Sequence, residues 1–114
     1  MKVAEENRKN AEALLKLIAE NPELPLLPMV DCEVIGDDYG NWAGNWGNSR
    51  IDYFMVDDER IRFKGDEDPD ETAERILPPD EYEKMTDEEV QKFYDALPWE
   101  KAIVVYIGVP TFTN

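Results

Sequence analysis

The segment Ala102–Val109, AIVVYIGV, is the longest proline-free apolar run in the chain, and it does not alternate with polar residues. A strand that is apolar on both faces has to be covered on both faces. The run therefore predicts a strand at the centre of a sheet, with other elements packed on either side. Since 34% of the 114 residues are charged, the rest of the core must come from amphipathic elements. The length suits one core, and a single domain over residues 1–114 is expected.

The covering elements can be read in order. Ala4, Ala11, Leu14, Leu15 and Ile18 recur at helical spacing opposite Glu5, Lys9, Glu12 and Lys16, predicting a helix from about Val3 to Glu20. Asn21-Pro22 ends it, because the proline ring disfavours helix at the preceding residue. After a connector with Pro22, Pro25 and Pro28, the alternation of Val30, Cys32 and Val34 with Asp31 and Glu33 predicts a half-buried strand from Met29 to Ile35. Gly36-Asp37-Asp38 reads as a turn.

Ile51–Val56 and Arg60–Lys64 read as a hairpin around Asp57-Asp58. With an even loop, Phe54 and Val56 share a face with Ile61 and Phe63. Arg60, Arg62 and Lys64 then line the other face, with Tyr53 and Met55 over their aliphatic stems. Asp68-Pro69-Asp70-Glu71 supplies an N-cap, a proline at the first helical position and an acid at N3, predicting a short helix to about Ile76. Thr86-Asp87-Glu88-Glu89 matches the capping box and opens a helix to Leu97 with Val90, Phe93, Tyr94 and Leu97 inward. The expected fold is α+β: an N-terminal helix packed on a largely antiparallel four- to five-stranded sheet, with two short helices inserted before the last strand.

Charge narrows the function. With 27 acids against 12 bases the net charge is −15, which repels nucleic acid and anionic membranes and favours a basic protein as partner. Direct nucleic-acid binding is not expected. No apolar run approaches the roughly 18 residues that span a bilayer, and the N-terminal residues are too polar for a signal peptide. The single cysteine, Cys32, forms no disulfide within the chain and falls in the predicted strand, which suggests a buried, inert thiol in a reducing cytoplasm.

Several chemistries are closed. The chain has no histidine, so it lacks the commonest general base, the commonest transition-metal ligand and every Ser-His or Cys-His nucleophile pair. Asp66, Asp68 and Asp70 have the opening spacing of a calcium loop, but Glu71 stands where glycine is needed and Leu77 where a bidentate Glu belongs. Gly40, Gly44 and Gly47 do not form a phosphate-binding glycine motif. The expectation is a protein without catalytic residues, metal or cofactor.

Two segments are candidate binding sites. In GDDYGNWAGNWGN, Trp42 and Trp46 would emerge on one face of a strand with Gly44 between them. Beside Tyr39, Asn41 and Asn45 they would make a flat patch able to stack on a glycan, a nucleotide base or a peptide. Alternatively, the indoles pack under the sheet and Gly44 admits the close approach of another segment. The second candidate is an acidic face from Asp66, Glu67, Asp68, Asp70, Glu71, Glu74, Asp80, Glu81, Glu83, Asp87, Glu88 and Glu89, among which only Arg75 and Lys84 are basic. Such a face could imitate a phosphate backbone toward a basic protein. It could equally be a solvated surface with acids placed at helix N-termini.

The block from Asn21 to Val34, the Trp42-x3-Trp46-Gly47 element and the closing Trp99-x4-Val104-Val-Tyr-Ile-Gly108 resemble a group of small acidic proteins of prophages and integrative elements in Gram-positive gut bacteria. The resemblance implies a bacterial cytoplasm and mobile DNA, and it carries no functional residue. The expected function is a non-enzymatic protein–protein interaction module, a candidate modulator of a basic, nucleic-acid-handling partner. The alternative is a small-ligand binder built on Trp42 and Trp46.

Overall fold

The structure, a computed structural model, describes residues 2–34, 41–110, 112 and 113. Ile35, the Gly36-Asp37-Asp38 turn and Tyr39 lie outside the described residues. In chain order the elements are β1 (Lys2–Val3), α1 (Glu5–Glu20), β2 (Leu26–Val30), β3 (Asn45–Asp57), β4 (Arg60–Phe63), α2 (Pro69–Ile76), α3 (Pro79–Glu83), α4 (Asp87–Asp95), β5 (Glu100–Gly108) and β6 (Phe112–Thr113). The fold is α+β, with a four-stranded sheet of order β2-β5-β3-β4 and a two-stranded pair of β1 with β6. β5 is an inner strand, as its unbroken apolar run requires, and Ala102 to Val105 are buried. Its pairing with β2 is parallel and β3 with β4 is antiparallel, so the sheet is mixed.

The chain divides into two compact units, residues 1–51 with 102–114, and residues 52–101. In the first, α1 lays Leu14 on Ile103 and Val105 of β5, with Leu17, Ile18 and Leu24 around them. Burying one such leucine contributes about 1.5–3 kcal/mol. Leu15, one residue round the helix, is 65% exposed, because the packed stripe centres on Leu14, Leu17 and Ile18. β2 begins earlier than the alternation around Cys32 suggests and ends at Val30. The Asp31 N–H still donates to the Ile107 carbonyl, but the Asp31 carboxylate then accepts from the Glu33 N–H and its carbonyl from the Val34 N–H. That local pairing turns the chain. Cys32 is consequently exposed in a turn rather than buried in a strand.

β2 is an edge strand, and its ladder with β5 shows which of its groups face outward. Ile103 N–H donates to Pro25 C=O and Asp31 N–H to Ile107 C=O, so the residues between whose backbone turns away from β5 include Pro28. A proline there removes a donor from an exposed edge at no cost to the ladder.

In the second unit, Asp58 and Glu59 form the two-residue hairpin loop, both with positive φ (50° and 69°). The turn thus sits one residue later than Asp57-Asp58. The even loop holds, and Phe54 opposes Phe63 and Val56 opposes Ile61. Asp68 caps α2 by accepting from the Asp70 N–H, and the Thr86–Glu89 capping box opens α4. Between them the sequence hides a third short helix, α3, started by Pro79 at its first position. α2 packs against α4, and the buried residues are Met55, Phe63, Thr72, Ala73, Val90 and Tyr94. The indole N–H of Trp99 donates to the Tyr94 carbonyl at 2.8 Å, with the two rings 5.2 Å apart.

Candidate functional site

The tryptophan segment is held by residues that its own sequence does not announce. Trp46 is the second residue of β3, and its backbone is bonded to side chains of α1 instead of to another strand. Its N–H donates to Asn7 Oδ1, and its carbonyl accepts from Asn10 Nδ2 at 2.9 Å. Asn7 and Asn10 lie one turn apart in line with Leu14 and Leu17, so they extend the packed stripe of α1 with amides. The only signal in the sequence was that two asparagines interrupt an apolar stripe where it should continue.

Glycine supplies the second constraint. A Cβ at Gly44 would fall 2.5 Å from Ile107 Cγ2, and one at Gly47 would fall 2.8 Å from the Tyr106 carbonyl oxygen. The segment therefore runs close against β5, as glycine spacing suggests. The indoles are not tucked beneath the sheet, however: Trp42 is 54% exposed and Trp46 41%. Only Trp46 is in a strand, since Trp42 precedes β3 and so does not share a strand face with it. Together with Gly44, Asn45 and Ile107 they border a concave site of about 280 Å³. Asn41 is exposed and does not border it. A neighbouring hollow of about 450 Å³ also borders Ile107 and is lined by Met29, Asp31, Asn48 and Tyr106. The Arg50 guanidinium lies over the Tyr106 ring, 5.4 Å from the centroid.

The acids of residues 66–89 are carried by α2, α3, α4 and their leading turns. Eleven of the twelve are exposed and Glu67 is half-buried. Local helix chemistry explains many of them. Asp70, Glu71, Asp80, Glu81, Asp87, Glu88 and Glu89 stand in first turns, where the helix dipole favours negative charge, and Asp68 is an N-cap. Some converge. The Tyr82 hydroxyl is 3.5 Å from Asp70 Oδ1, and partial burial followed by Asp70, Glu74 and Asp68 raises its pKa above the ordinary tyrosine value. Tyr94 is raised likewise, first by burial and then by Glu67, Asp95, Asp52 and Asp66.

Cations of the hairpin and of α2 are paired inside this unit. Arg62 pairs with Glu67 at 3.3 Å and Asp57 at 3.8 Å, Arg75 with Asp57 at 2.9 Å, and Lys64 with Asp95 at 3.3 Å. Lys64 also lies 5.9 Å from the Tyr53 ring centroid, as the expected stacking on that face requires. Residues 52–101 hold 18 acids and 7 bases, a net −11 of the chain's −15. Among the described residues no three acid or cysteine side chains are grouped as they could hold a metal ion. No described helix is long and apolar enough to cross a membrane.

Fold and surface define an α+β protein with an acid-rich helical unit and a concave aromatic site in the other unit. No family model, curated protein or solved structure matches the chain.

Proposed function

We propose that the protein is a non-enzymatic interaction module whose acid-rich unit binds a basic protein, in particular one that handles nucleic acid in a bacterial cytoplasm. The observation that carries this reading is the exposure of eleven acids within residues 66–89, while Arg62, Lys64 and Arg75 are already paired to carboxylates of the same unit. A surface so uncompensated attracts basic partners over a Debye length and costs self-repulsion when alone. Affinity capture from bacterial lysate should enrich basic nucleic-acid-binding proteins, and their retention should fall steeply with rising salt. Salt-independent capture of neutral proteins would overturn the reading. Exposure of both indoles beside a concave surface supports a second reading, a small-ligand or peptide site at Trp42 and Trp46.

A further inference from the structure

We propose that the Trp42–Trp46 concavity receives an arginine side chain of the basic partner, an inference that rests on the basic-partner reading above. The chemistry of the walls points there. Two partly exposed indoles and the Ile107 side chain border the site, with Asn45 as the one polar side chain among the described residues that border it. The guanidinium is planar and weakly hydrated, and it stacks on aromatic faces, with indole the best of them. The site belongs to a unit with 9 acids and 5 bases, so it attracts cations and repels phosphorylated ligands.

The hollow that holds the exposed carboxylate of Asp31 is lined by Tyr106, whose side chain alternates with that of Ile107, so it opens on the other face of β5 and is no part of this site. The indole site is fixed in advance. Asn7 and Asn10 hold the Trp46 backbone, and Gly44 abuts Ile107, which lowers the ordering cost of binding.

The test is tryptophan fluorescence of the full chain titrated with an eight-residue glycine-serine peptide carrying two arginines, and with the same peptide carrying citrulline, the uncharged isostere. The arginine peptide should bind. Citrulline, Trp42→Ala and Trp46→Ala should each weaken it about tenfold, the factor for a desolvated cation–π contact. Trp42→Phe and Trp46→Phe keep the apolar bulk and should fall in between, with circular dichroism unchanged. Equal binding of the citrulline peptide, unchanged affinity in the phenylalanine and alanine variants, or saturation by a neutral oligosaccharide in place of the arginine peptide would each overturn the inference. Glu71→Gln, Glu74→Gln, Glu81→Gln and Glu83→Gln combined separate the two readings. Loss of basic-protein capture with arginine-peptide binding retained supports both. Peptide binding in the wild type without any salt-sensitive protein capture removes only the acid-rich surface reading, and capture without peptide binding removes only this one.

Discussion

The hydroxyl of Tyr94 donates to the backbone carbonyl of Lys64, thirty residues earlier, and so ties α4 to the end of the β3–β4 hairpin within one unit. Removing it leaves a part-buried carbonyl without that donor. Tyr94→Phe should lower unfolding free energy by about 1–2 kcal/mol, measured by urea denaturation. The same group makes stability fall at alkaline pH. Burial, then Glu67 and Asp95, raise the phenol above 10.0, so the folded chain holds this proton more tightly than the unfolded chain. The contribution is complete below pH 10.0 and is lost as pH rises through the folded value. Denaturation between pH 8 and 11.5 should show this loss reduced in Tyr94→Phe.

Asn7 and Asn10 stand where a neighbouring strand would otherwise bond the Trp46 backbone. Replacing either with alanine should cost about 1–2 kcal/mol, since a backbone group is left to find water. Hydrogen exchange at the Trp46 amide should accelerate in Asn7→Ala more than in Asn10→Ala, because Asn7 is the acceptor for that N–H. Equal acceleration in both would contradict the assignment.

Gly47→Ala places a methyl group against the Tyr106 carbonyl, a backbone atom that cannot move aside alone. The expected loss is about 1–3 kcal/mol by overpacking. Gly65→Ala is the control, because a Cβ there meets nothing within 4 Å. Thermal unfolding of the two variants checks the contrast.

Glu59 holds φ at 69° in the hairpin loop, a conformation in which a side chain is strained. Glu59→Gly should stabilise the unit by about 0.5–1 kcal/mol once the entropy of glycine in the unfolded chain is deducted. A lower urea midpoint for this variant would show that Glu59 makes a compensating contact.

The helical half of the acidic segment was legible because its signals are short. Asp68-Pro69 and Thr86-x2-Glu89 act on backbone groups within one turn, and both caps form where the spacing puts them. α3 was not legible, since five residues opening on Pro79 carry no periodicity. The tryptophan site was legible only as composition. Gly44 indicated a close approach, but whether the indoles lay over or under the sheet depended on Ile107, sixty-three residues away. Cys32 misled for a related reason. Its alternating neighbours fit a strand, yet the Asp31 side chain offered the backbone a turn, and that option won.

The sequence by itself determined the α+β class, the inner position of β5, the faces of the hairpin and the caps of α2 and α4. Each follows from hydrophobic period or from bonds within a few residues. Tertiary structure alone decided the parallel pairing of β2 with β5, the clamp of Asn7 and Asn10 on Trp46, and the exposure of both indoles. Those outcomes turn on which backbone groups remain unpaired once the sheet has formed, and no local spacing records that.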